Sequence, residues 1–318
     1  MFASAALLAG PQPTATEPTV ATVLQRAAAY VEQFHRRLSS IVAEEHYVQE
    51  WYLVRPGGRT SLDRRELRSD LVLMKPGSDA PWMEFRDVFE VDGRAVRDRD
   101  DRLEILLRQP SGVGSAQMSA ILRESARFNI GDVDRNVNTP LFALRFLEAG
   151  NQARFRFRRA ASGAPGASTS TPEPSDGVFR VATEVWAIAY DEVRRGTMIR
   201  NAQRKDQPAH GGFWIEPATG RVLVSELRVE DRSVRASIDV SFQSEPLMDL
   251  LVPVAMRERY EGKRTGSLVE GRATYGRFRQ LRGGANEPQG ASGVEVVPNG
   301  ERAARPRVAV HPGDPPRR

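Results

Sequence analysis

Apolar residues recur at helical spacing over residues 17–41, and beyond that they recur at every second position. In "VATVLQRAAAYVEQFHRRLSSI" the residues Val20, Val23, Leu24, Ala27, Tyr30, Val31, Phe34, Leu38 and Ile41 form one stripe. One stripe predicts an amphipathic helix with one buried side, lying on a larger apolar surface. Thr16 is the expected N-cap, and Pro18 suits a first turn.

From Ile41 the period is 2. "VAEEHYVQEWYLV" and "RELRSDLVLMKPG" predict two strands joined at "RPGGR". "WMEFRDVFEVDGRAVRDR" predicts a second hairpin that turns at Asp92-Gly93, a strong hairpin signal between alternating runs. The middle differs. Residues 114–128 and 139–149 read as two helices, the second capped by Thr139 with Pro140 at its first position. "ARFRFRR" returns to alternation, and then "VFRVATEVWAIAYDEV", "GGFWIEP", "RVLVSELRVE", "SVRASIDVSFQ" and "GSLVEGRATYGRFRQL" continue it. In the fourth of these, Val234, Ala236, Ile238, Val240 and Phe242 alternate strictly with polar residues, so one face is buried and the other wet.

Residues 160–177, "AASGAPGASTSTPEPSDG", are too poor in apolar residues to pack and read as a disordered insertion in one domain, 17–282. Residues 1–16 read as a truncated signal-like or disordered start, and 283–318 as a disordered Pro/Gly/Arg-rich tail. Short turns between strands, with helices gathered in two places, predict an α+β fold. Its core is a large curved antiparallel sheet, a half-barrel of roughly nine to eleven strands. The N-terminal helix and the mid-chain helical pair are expected to cover one face.

Composition narrows function mainly by exclusion. The net charge is +5, and Lys occurs only at Lys75, Lys205 and Lys263. Arg repeatedly sits beside acid, as in "RDVFEVDGRAVRDRDDRLE", which reads as a solvated strand surface, with no nucleic-acid footprint. There is no cysteine, so disulfides and thiol chemistry are absent. No apolar run is long enough for a membrane span. "MFASAALLAG" is an apolar run of the kind found in signal peptides, so the expected location is the periplasm or outside the cell.

Candidate chemistry is thin. His46 follows Glu44 and Glu45, but in a strand Glu45 points away from the other two, and no second His lies at ligand spacing. "PSGVGSAQ" lacks the Lys-Ser/Thr pair of a phosphate loop, and no nucleophile elbow is present. The expectation is a protein that is not an enzyme and has neither metal nor cofactor. What remains is apolar surface: "VFRVATEVWAIAY" sets Trp186, Ile188 and Tyr190 on one face, and "GGFWIEPATGRVLVSELRV" adds Phe213, Ile215 and Leu223. With Val240, the residues Trp186, Ile188, Phe213, Ile215 and Leu223 are the expected lining of an apolar concave pocket.

The helix followed by meandering strands, mid-chain helices and a final run of strands resembles the LolA/LolB/RseB superfamily of periplasmic lipoprotein carriers and sensors. "FWIEPATGRVLVSEL" is similar to that family's Trp-Ile/Leu-x-Pro element. The resemblance spans roughly residues 20–282 and is one of layout. It implies a half-barrel holding acyl chains on its concave face, with a lipid or lipoprotein acyl chain as partner. The rival expectation is a cell-envelope interaction module with a filled core, recruiting a protein or polysaccharide through its edges.

Overall fold

The computed structural model of the chain describes residues 17–39, 41–74, 82–96, 123–133, 135, 137–160, 184–201, 203–245 and 250–280. The N-terminal segment 1–16, most of the helix expected at 114–128, the 160–177 insertion beyond Ala160, and the 283–318 tail lie outside the described residues.

Helix α1 (Val20–Leu38) is followed by β1 (Ile41–Arg55), β2 (Gly58–Met74), β3 (Met83–Val91) and β4 (Arg94–Ala95). A 3-10 helix (Phe142–Leu147) and the short α2 (Ala149–Gln152) come next. Then follow β5 (Phe155–Arg159), β6 (Trp186–Glu192), β7 (Ala209–Ile215), β8 (Val222–Glu230), β9 (Val234–Glu245), β10 (Leu250–Gly262) and β11 (Ser267–Gln280). All eleven strands belong to one sheet in the order β4-β3-β2-β1-β11-β10-β9-β8-β7-β6-β5, with antiparallel neighbours throughout. The sheet is open, with β4 and β5 at its edges. The class is α+β.

Local chemistry explains the turns. Arg55 pairs with Gly58, so Pro56 and Gly57 are the corner, and Gly57 has φ 101°. Pro at the first and a positive-φ Gly at the second central position is a type II turn. Asp92 (φ 49°) and Gly93 (φ 75°) close β3 to β4 with both angles positive, the type I′ geometry that Asp-Gly favours.

α1 begins at Val20, the first residue of the apolar stripe, and not at residue 17. Thr19, not Thr16, is the N-cap, and its hydroxyl accepts from the Thr22 amide at 3.2 Å. Ile41 belongs to β1, because the chain leaves the helix at Ser39. The second mid-chain helix is mainly a 3-10 segment, with Ala143, Leu144, Phe146 and Leu147 buried. Four nearly consecutive buried residues leave Arg145 as its one polar side chain, and the segment packs against α1 and β8.

α1 lies across the strands on one face of the sheet, touching β1 and β5. Its residues Val23, Ala27, Val31 and Phe34 are fully buried, and Tyr30 donates from its hydroxyl to the Leu251 carbonyl. The hairpin between β7 and β8 docks on it: Arg26 Nη1 donates to the Pro217 carbonyl at 2.6 Å. Gly220, with φ 79°, sits so close that a Cβ there would fall 2.3 Å from the Arg26 carbonyl carbon.

Candidate functional site

The face under α1 is filled at one end and hollow at the other. At the filled end, Trp186 pairs with Ile215 and Ile188 with Phe213 across β6 and β7, and Val240 continues the layer on β9. Those five residues are buried in one core with Phe146, Phe155 and Tyr190, and Leu223 packs partly buried against it. The Tyr190 and Phe213 rings stack at 5.0 Å, and Phe146 meets Tyr190 edge-on at 5.4 Å. The structure therefore brings the six sequence-derived residues together, in close-packed surroundings.

The hollow end is a cavity of about 400 Å³ between the C-terminal part of α1, β2, the start of β3 and the segment 125–145. Its lining mixes apolar residues (Leu73, Trp82, Met83, Ala126, Leu141 and Phe142) with polar ones (His35, Glu84, Ser125, Arg135, Asn138, Thr139 and Arg145). None of the six sequence-derived residues is among the described residues that line it.

The polar part of the lining is backed by charges buried on the same sheet face. In β1, Glu45 and Gln49 point inward in phase with Ala43 and Tyr47, and all four are buried. Glu45 accepts from Arg86 Nε and from the Ser69 hydroxyl, and Arg86 Nη2 donates to the Asn138 carbonyl. Burial opposes the charge on Arg86. Glu45, Tyr275 and Tyr47 outweigh that effect and hold its pKa well above the usual value.

A second cluster centres on Arg135. Its Nη1 donates to Glu258 at 2.7 Å and to the Tyr47 hydroxyl at 2.9 Å, and its Nη2 donates to the Ile130 carbonyl and to Gln49. Tyr47 in turn donates to Glu258, while burial first, and Glu258 next, push its pKa far above 10. Gln49 completes the arrangement by donating to the Phe128 carbonyl and accepting from the Ile130 amide. Gly131 (φ 96°) lets this segment settle on the sheet, because a Cβ there would lie 2.5 Å from Val269.

Two cavity residues have displaced pKa values. Burial lifts the Glu84 carboxyl to about 7, against the opposing hydrogen bond from Thr139, the Arg86 charge and the Leu141 amide. Burial lowers His35 to about 4, and the Arg145 charge pushes the same way. At neutral pH His35 is therefore an uncharged ring, 5.4 Å from Trp82.

Comparison with solved structures finds similarity to a domain described as an outer membrane lipoprotein-sorting protein from Vibrio parahaemolyticus. It is 11% identical with a TM-score of 0.27, over 81% of this chain and 94% of that one. A structure concerned with lipid–protein interactions in lipovitellin is 12% identical with a TM-score of 0.22, over 80% of this chain and 26% of that one. Neither comparison bears on what the cavity holds. No protein-family model and no curated protein matches the chain.

Charge placement is what sequence reading missed. Glu45, Gln49, Arg86 and Glu258 sit at the inward phase of their strands, and all but Arg86 lie between apolar or aromatic neighbours of that phase. That phase was legible, since a lone acid between Met256 and Tyr260 breaks an otherwise apolar face. Arg135 was not legible, because it comes from an irregular segment without a period. His46 stands on the wet face and bonds Glu66 at 2.7 Å.

Proposed function

We propose that the protein is an exported, non-catalytic binding protein that holds an amphiphile, with an acyl or similar apolar chain in the cavity beneath the end of α1. The observation that carries this reading is the mixed lining. About 400 Å³ of space is bounded by both apolar and polar side chains, within the roughly 300–1,000 Å³ range of small-molecule sites. A cavity lined only by apolar groups would suit a hydrocarbon, and one lined only by polar groups would stay wet. This one suits a molecule with both parts. Glu84 fits a structural duty here, because its carboxyl is held by Thr139 and by the Leu141 amide at 3.1 Å, anchoring the entry to the 3-10 segment.

Trp186, Ile188, Phe213, Ile215, Leu223 and Val240 continue the same sheet face. Among the described residues, no helix is long and apolar enough to cross a membrane.

The test is uptake of N-phenyl-1-naphthylamine, an uncharged probe whose fluorescence rises in apolar surroundings. The native chain should bind it, Ala126→Trp should block the cavity and abolish the signal, and Arg235→Ala on the wet face should change nothing. Equal signals from all three would defeat the reading, as would none from the native chain.

A further inference from the structure

Resting on that reading, the structure points further, to the charge of the ligand. Three guanidinium groups reach the cavity or the buried charges behind its polar lining. Arg86 is paired with Glu45, and Arg135 with Glu258. Arg145 is different: among the described residues its guanidinium makes no hydrogen bond and no ion pair, and its Nε, like that of Arg135, is buried without an acceptor. The Phe142 ring centre lies 5.6 Å from the guanidinium carbon, and Phe142 is among the apolar residues that line the cavity. An unmatched cation beside an apolar surface is the complement of an anionic head joined to an apolar chain.

We propose that the cavity selects anionic amphiphiles, seating a carboxylate or phosphate head on Arg145 beside Asn138 and Thr139, with the chain against Leu73, Trp82 and Phe142. Asn138 lines the cavity too, and beyond the amide hydrogen it gives to Asn129 it has a second to donate to the head. His35 is neutral there and adds no competing charge. Glu84 sets a pH dependence. Facing it are Arg86 on its own strand, Glu45 from β1, Tyr275 from β11, and Thr139 with the Leu141 amide; His35 and Arg145 share its cavity. Its carboxyl titrates at about 7, so below that pH it is uncharged and Arg145 stands in the cavity without an ion-pair partner among the described residues. Above it, an ionised Glu84 opposes an incoming anion, and anion affinity falls as pH rises.

Displacement of N-phenyl-1-naphthylamine from the full chain tests this directly. Dodecanoate and dodecyl phosphate, the two sources of the head, should each outcompete dodecanol by roughly tenfold. The better of the two identifies which head is favoured. In Arg145→Met the preference should vanish while the uncharged probe still binds, and Arg145→Lys should restore part of it. Decanesulfonate, whose charge is fixed, should bind several-fold more weakly at about pH 8 than at about pH 6 in the native chain and equally at both in Glu84→Gln. Dodecanol matching the anions, with the probe bound, would overturn the anion selectivity and leave the cavity reading standing. Absence of probe binding would overturn both.

Discussion

Gly271 stands opposite Glu258 across β10 and β11, and its missing side chain leaves the space that the Glu258 carboxylate occupies. A Cβ at Gly271 would fall 2.5 Å from Glu258 Oε1 and 2.6 Å from its Cγ. Gly271→Ala must therefore push that carboxylate off Arg135 and Tyr47, leaving a buried guanidinium without its partner. The expected loss is on the order of 3 kcal/mol of unfolding free energy, read by urea denaturation. A change below about 0.5 kcal/mol would mean the pair tolerates displacement.

The contact between the β7–β8 hairpin and α1 makes a second prediction. At Gly220 both the positive φ and the approach to the Arg26 and Ala27 backbone exclude a side chain. Gly220→Ala should cost about 2 kcal/mol or more and loosen α1, seen as faster amide exchange at Val23 and Ala27 than in the native chain. Arg26→Met removes only the hydrogen bond to Pro217 and should cost roughly 1 kcal/mol. If the two substitutions cost the same, backbone proximity is not what holds the helix.

His35 and Glu84 act on stability with opposite signs. The Glu84 pKa is raised from 4.5 to about 7, so between those values the folded state holds a proton that the unfolded chain has lost, and stability falls as pH rises. The His35 pKa is lowered from 6.5 to about 4, so between those values the unfolded chain holds the extra proton, and stability rises with pH. Between 4.5 and 6.5 the two slopes oppose each other. Glu84→Gln should expose the His35 slope, with stability climbing across that window more steeply than in the native chain. An unchanged pH profile would remove Glu84 from the account.

Much of the fold was legible because the strands signal it locally. The strict alternation in β9, the Asp92-Gly93 corner and the α1 stripe each rest on a single period or turn type, and each appears in the structure. The 3-10 segment was read as an α-helix because Leu141, Leu144 and Leu147 fit helical spacing equally well. The site was less legible. Periodicity shows that Trp186, Ile188 and Phe213 face inward, but not whether a helix fills the space before them. α1 and the 3-10 segment do fill it there, and leave room instead beside Trp82 and Met83.

That division can be tested with conservative changes. Phe213 is fully buried, and Phe213→Ala should cost about 3–5 kcal/mol through the cavity it leaves. Phe213→Leu should be milder, and uptake of the uncharged probe should then follow stability alone. A selective loss of uptake with unchanged stability would show that the ligand reaches the β6–β7 face. Thermal melts and probe titrations on the same samples separate the two.

Whether the cavity holds an amphiphile is read by native mass spectrometry of the gently purified full chain. The native protein should carry a recurring extra mass that organic extraction recovers as a lipid or fatty acid, and that Ala126→Trp lacks. A clean mass for the chain alone, with no uptake of added dodecanoate or dodecanol, would contradict the proposed binding.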